Sequence, residues 1–126
     1  MFLIKDPSTR GVINNFSGPE IVDIGITYSE GVAVITVTGE LDLSNAAWLS
    51  QCLHDAIDAG VIEIVLDIEH LTYVDSTGLA ILKSAHNRML ATHGKMVILA
   101  PAPNVMRLLE VTRLSSVLTI RGARRV

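Results

Sequence analysis

The hydrophobic pattern of the chain becomes regular at residue 22. Apolar and polar residues alternate from 22 to 28, which predicts a strand with one face in a core. Residues 29–31, Ser-Glu-Gly, then predict a hairpin turn. Residues 32–38 are β-branched and apolar on both faces, as in a central strand. Further strands are predicted at 61–68, 96–100 and 117–120.

A first helix is predicted between the second and third strands. Ser44 or Asn45 is expected to cap its start, and it should run to about Ala59. Gly60 follows it, where a left-handed backbone is often needed. The apolar residues that share one stripe of this helix are Leu49, Cys52, Leu53 and Ala56. Cys52 is therefore interpreted as core packing rather than as a reactive thiol.

A second helix is predicted after residues 74–78, with Ser76 as a good N-cap and Thr77 as a close second. It should run to about Thr92, with Gly94 ending it. The residues on its inner stripe are Leu79, Leu82, His86 and Met89. A third helix is predicted from apolar spacing at 104–112.

The predicted order of elements is β-β-α-β-α-β-α-β. Strands that alternate with helices favour an α/β fold, with a mostly parallel or mixed sheet of about five strands packed with three to four helices. Residues 1–20 contain turn-forming Pro, Gly and Asn and no regular pattern, so they are expected to form a flexible extension. Residues 21–126 are expected to form a single domain.

Composition narrows the class of protein. A chain of 126 residues with a formal net charge of −3 has no general attraction to nucleic acid. The single cysteine, Cys52, allows no internal disulfide, which agrees with a reducing compartment. The apolar run at residues 1–4 is too short for a signal peptide, so none is expected, and no apolar run is long enough to span a membrane. A soluble, cytoplasmic protein is expected.

The sequence offers no recognisable catalytic or metal site. The histidines do not occur in pairs at helical spacing, and Cys52 has no Cys-x-x-Cys partner, which argues against zinc. The phosphate-binding glycine loops and the Gly-x-Ser-x-Gly turn of hydrolases are absent too. We therefore expect a protein that is not an enzyme and that needs no cofactor.

The segment around Asp75 is the main candidate site. It enters a helix, where free N–H groups and a partial positive charge favour anions. A phosphate on Ser76 would add about −1.5 to −2 charges beside Asp75, and Asp42 ends an earlier strand that could lie nearby. This charge would repel a partner that docks there. The alternative is that the segment only caps a helix.

Two motifs resemble those of the STAS family, which includes anti-sigma factor antagonists and domains of sulphate transporters. One is Gly-Glu-Leu-Asp at 39–42 and the other is Val-Asp-Ser-Thr-Gly-Leu at 74–79. Their separation and their β/α order match the family over roughly residues 22–120. Ala80 stands where a second glycine often follows in the family, a small departure. The resemblance implies a STAS fold.

The resemblance also implies a mechanism. Ser76 matches the family's phosphoacceptor, with Thr77 as the runner-up. The partner would be an anti-sigma factor that is also a serine kinase with an ATP-binding fold, and a phosphatase would reverse its action. The residues expected at the partner-binding surface are Asp42, Asp75, Ser76, Thr77, Gly78 and Leu79. A monomer that forms heterocomplexes is expected.

Two other functions remain open from the sequence. The domain could be a STAS-type docking subunit of a membrane transport complex, in which case Ser76→Ala would have no effect. An enzyme of unknown type is the other alternative, and it would need a concave site with perturbed titratable groups.

Overall fold

The computed structural model describes residues 11–14 and 22–123, which form seven strands, three α-helices and one 3-10 turn. The strands are β1 (Gly11–Asn14), β2 (Val22–Ser29), β3 (Val32–Leu41), β4 (Glu63–Asp67), β5 (Leu71–Val74), β6 (Lys95–Leu99) and β7 (Thr119–Arg121). The helices are α1 (Ala46–Asp58), α2 (Ser76–Ala91) and α3 (Pro103–Val111), and the 3-10 turn is Leu114–Ser116.

All seven strands belong to one mixed sheet in the order β1-β2-β3-β4-β6-β7, with β5 also paired to β3. The strand β2 pairs antiparallel with both β1 and β3, and the remaining pairings are parallel. The hairpin between β2 and β3 turns at Glu30 and Gly31, which have φ values of 50° and 82°. Positive φ at both turn residues matches the twist of a tight hairpin. The predicted α/β class is confirmed.

Two strands share one edge of β3. The first half of β3, from Val32 to Thr36, pairs with β4, whereas residues 39–41 pair with β5. The register shifts at Gly39, which has a φ of 108°. The chain therefore leaves the sheet after β4 and returns as β5 beside the carboxyl end of β3. This arrangement brings the two sequence motifs side by side.

The helices bury the apolar stripes that the sequence predicted. On α1, Leu49, Cys52, Leu53 and Ala56 are all buried. On α2, Leu79, Leu82, His86 and Met89 are buried, and α1 and α2 pack against each other. Apart from His86, these residues join the inward side chains of β2, β3 and β4 in one hydrophobic core.

The structure differs from the predicted elements in the number of strands and in several details. The sheet has seven strands rather than about five, because β1 and β5 were not predicted. The strand β1 lies within residues 1–20, where no regular element was expected; the flexibility of that extension and the boundary at residue 21 stay predictions. The strand β3 is buried on one face and half-buried on the other. The helix α2 ends at Ala91, close to the predicted end at about Thr92, and His93 beyond it has a φ of 62°.

The thiol of Cys52 is expected to be unreactive in the folded protein. Burial, with a smaller effect of the Asp55 carboxylate, raises the pKa of Cys52 to about 12. Because the thiolate is the nucleophile, a thiol reagent at pH 8 should label the native protein very slowly. The same reagent should label the protein rapidly in urea. Rapid labelling without denaturant would contradict this prediction.

Candidate functional site

The strands β3 and β5 end together, and this places Asp42 and Asp75 at one corner of the sheet. Leu41 and Val74 are paired in register, so the next residue on each strand is an aspartate. The backbone N–H of Asp75 donates to the carbonyl of Leu41 across 3.2 Å. The predicted proximity of the two aspartates therefore has a structural basis in the β3–β5 pairing.

The carboxylate of Asp75 joins two elements. Its Oδ1 accepts a hydrogen bond from the backbone N–H of Gly78 at 3.0 Å, which makes Asp75 the N-cap of α2. Its Oδ2 accepts from the backbone N–H of Leu43 at 3.1 Å. The prediction that Ser76 or Thr77 caps this helix is therefore wrong. Asp75 leaves β5 in an extended conformation that directs its side chain to the helix start, as a cap requires.

The turn between β3 and α1 is formed by residues 42–45, which we call the β3–α1 turn. Oδ1 of Asp42 accepts from the backbone N–H of Ser44 at 2.9 Å and from its hydroxyl at 2.6 Å. The carbonyl of Asp42 accepts from the N–H groups of Asn45 and Ala46. These hydrogen bonds order the turn. Because Asp42 is only half-buried, its carboxylate also reaches the surface.

Asn45 supports this turn from beneath. It is only 2% exposed, and its Oδ1 accepts from the N–H of Asp42 at 3.0 Å. Its Nδ2 donates to the carbonyl of Glu40 at 2.8 Å. Of the two predicted caps, Ser44 and Asn45, it is Asn45 that occupies the N-cap position of α1. Its side chain, however, makes no capping hydrogen bond. The position of Asn45 at the helix start was predicted from the sequence, whereas its hydrogen bonds beneath the turn were not.

Ser76 is exposed in the first turn of α2. Its hydroxyl makes no hydrogen bond with any residue that the structure describes. The first N–H groups of a helix lack partners within the helix, and Asp75 takes that of Gly78. The N–H groups of Ser76 and Thr77 are thus left at a helix start that favours negative charge.

Thr77 lies beside Ser76 but is half-buried. It lies in a shallow, mainly apolar groove of about 200 Å³ between α1 and α2. The other residues that line this groove are Ser50, Leu53, His54, Ala80, Ile81, Ser84 and Ala85. The hydroxyl of Thr77 is therefore less accessible than that of Ser76.

Gly78 and Leu79 are packed inward rather than presented at the surface. A Cβ on Gly78 would lie 2.6 Å from Cγ2 of Val74 and 2.9 Å from Cδ2 of Leu41. Leu79 is 5% exposed and belongs to the core. These two residues fix the start of α2 against the ends of β3 and β5. The structure thus brings Asp42, Asp75, Ser76 and Thr77 together at the surface, with Gly78 and Leu79 beneath them.

The described part of the chain contains no group of His, Cys, Asp and Glu side chains that could hold a metal ion.

Nη1 of Arg88 lies 3.1 Å from Nδ1 of His54. Because the Arg88 guanidinium can only donate, Nδ1 of His54 accepts this hydrogen bond. None of the helices in residues 22–123 has both the length and the apolar character that crossing a membrane requires.

The STAS domain model matches residues 23–124, and the chain belongs to this family. One relative is the "Anti-sigma F factor antagonist" of Paenibacillus polymyxa, 27% identical over 79% of this chain and 86% of its own. Another is the "Anti-sigma-B factor antagonist" of Listeria monocytogenes, 27% identical over 70% of this chain and 77% of its own.

Solved structures confirm the fold. An anti-sigma factor antagonist from Mycobacterium paratuberculosis matches with a TM-score of 0.74 and 24% identity, over 83% of this chain and 89% of the other. The Bacillus cell fate determinant SpoIIAA in its phosphorylated form matches with a TM-score of 0.64 and 20% identity, over 77% of this chain and 89% of the other. The STAS fold expected from the two motifs is thereby confirmed.

Proposed function

We propose that this protein is an anti-sigma factor antagonist that is switched by phosphorylation at Ser76. In its unphosphorylated state it binds an anti-sigma factor that is also a serine kinase, and the sigma factor is released. The names of the relatives support the first part of this proposal. The existence of SpoIIAA in a phosphorylated form supports the second. The protein acts in the cytoplasm as a binding partner rather than as an enzyme.

The observation that carries the proposal is the exposed Ser76 hydroxyl at the corner formed by β3, β5 and α2. A kinase has to reach the hydroxyl from solvent, and Ser76 is exposed whereas Thr77 is half-buried in the α1–α2 groove. The helix start also tolerates a phosphate without refolding, because its free N–H groups favour an anion. These features favour Ser76 over Thr77 as the phosphoacceptor.

The charge of the corner explains how phosphorylation would end binding. Asp75 directly precedes Ser76, Asp42 follows the end of the neighbouring strand β3, and Glu40 is exposed near that end. A phosphate would add about −1.5 to −2 charges to a surface that is already acidic. A partner that fits the uncharged serine would then meet an uncompensated anion, and a phosphatase would restore the original surface.

The phosphoacceptor can be tested with an anti-sigma factor kinase from the same organism. Wild type, Ser76→Ala and Thr77→Ala are incubated with the kinase and ATP, and the intact masses are measured. We expect wild type and Thr77→Ala to gain one phosphoryl group and Ser76→Ala to gain none. A phosphorylated Ser76→Ala would move the assignment to Thr77. If wild type neither binds the kinase nor is phosphorylated, the proposal is wrong, and the docking-subunit alternative predicts co-purification with membrane transport proteins instead.

A further inference from the structure

Leu43 is the most exposed large apolar side chain among the described residues, at 78%. It lies at the tip of the β3–α1 turn, directly after Asp42. Its side chain contributes little to the core, and folding alone does not require a leucine at this position. Isolated exposed leucines are common on protein surfaces, so exposure alone does not indicate a binding site.

The backbone that presents Leu43 is, however, held from two sides. The N–H of Leu43 itself donates to Oδ2 of Asp75. The buried Asn45 side chain accepts from the N–H of Asp42 and donates to the carbonyl of Glu40. The backbone of a turn fixed in this way loses little conformational freedom when a partner covers it, so the cost of binding is confined to the side chain.

The position of Leu43 relates it to the phosphoacceptor. The Asp75 carboxylate that accepts from Leu43 belongs to the residue directly before Ser76. A partner that covers the Ser76 corner would therefore also reach the β3–α1 turn. Trp, Tyr and Arg are the commonest energetic anchors of interfaces, and an aliphatic side chain that fills a pocket of the partner can serve the same purpose.

We propose that Leu43 is an anchor for the anti-sigma factor, entering an apolar recess of that protein beside the surface that meets Ser76. This inference rests on the proposed function and adds to it a contact residue that the sequence motifs did not indicate.

The experiment compares the affinity of the anti-sigma factor for wild type, Leu43→Ser and Ile62→Ser, with dissociation rates from surface-based binding. Ile62 is the matched control, since it is 66% exposed and lies directly before β4, at the end of the sheet opposite to the β3–α1 turn. We expect Leu43→Ser to weaken binding by about tenfold or more, mainly through faster dissociation. Ile62→Ser should stay within about twofold of wild type.

The urea midpoints of both variants should equal that of wild type, because each replaced side chain is exposed. Equal affinity for wild type and Leu43→Ser would overturn the anchor while leaving the phosphorylation switch in place. A wild type that does not bind the anti-sigma factor would instead overturn the proposed function, and the anchor with it. An equal loss in Leu43→Ser and Ile62→Ser would also overturn the anchor, because the effect would not be specific to the β3–α1 turn.

Discussion

Replacing Ser76 with Asp is expected to weaken binding of the anti-sigma factor by about a hundredfold or more, whereas Ser76→Ala should bind within a few-fold of wild type. The new carboxylate would lie beside Asp75 and near Asp42 at a surface that a partner covers. A like charge left without compensation at an interface costs several kcal/mol, and each 1.4 kcal/mol changes affinity about tenfold. Isothermal titration calorimetry of the three proteins measures this difference.

Ser76→Asn separates the charge from the size of the new side chain, since Asn and Asp have nearly the same shape. We expect Ser76→Asn to lose much less affinity than Ser76→Asp. Raising the salt concentration should narrow the gap, because salt screens partly exposed charges. If the two variants bind equally weakly, the switch acts by shape rather than by charge, and the electrostatic explanation is wrong.

The helical elements were predicted well because their apolar stripes are long. On α2, four positions from Leu79 to Met89 repeat at helical spacing and are all buried. The strand β5 was missed because it has only four residues, and its two middle residues, Thr72 and Tyr73, are exposed. An element this short has no readable period, and its place in the sheet comes from pairing with β3. Such pairing depends on contacts between distant parts of the chain.

The sequence indicated which residues to consider at the candidate site but not the hydrogen bonds that connect them. The motifs indicated Asp42, Asp75 and Ser76, and the pairing of β3 with β5 explains why they meet. The choice of Asp75 as N-cap could not be predicted, because Asp, Ser and Thr all cap helices well. The direction in which β5 ends decides among them. The role of Asn45 likewise depends on a carbonyl five residues earlier, which no sequence pattern marks.

The close approach at Gly78 leads to the second large effect, a loss of stability in Gly78→Ala. In an exposed helix this change would stabilise the protein by up to about 1 kcal/mol. Here the added methyl group would lie 2.6 Å from a methyl of Val74 and 2.9 Å from one of Leu41, both within the core. Overpacking of this kind costs about 1–3 kcal/mol, so we expect a net loss of free energy of unfolding in urea titration.

Ser84→Ala is the matched control, because Ser84 is exposed on the same helix and its change should stay within about 0.5 kcal/mol. A Gly78→Ala protein as stable as wild type would mean that α2 can shift away from the strands without cost.

The crowded methyl groups belong to Leu41 and Val74, which directly precede Asp42 and Asp75. Relief of the crowding would therefore move the ends of β3 and β5 apart from α2. Gly78→Ala should for this reason weaken anti-sigma factor binding even where the protein remains fully folded, which would connect the packing beneath the corner to the surface above it.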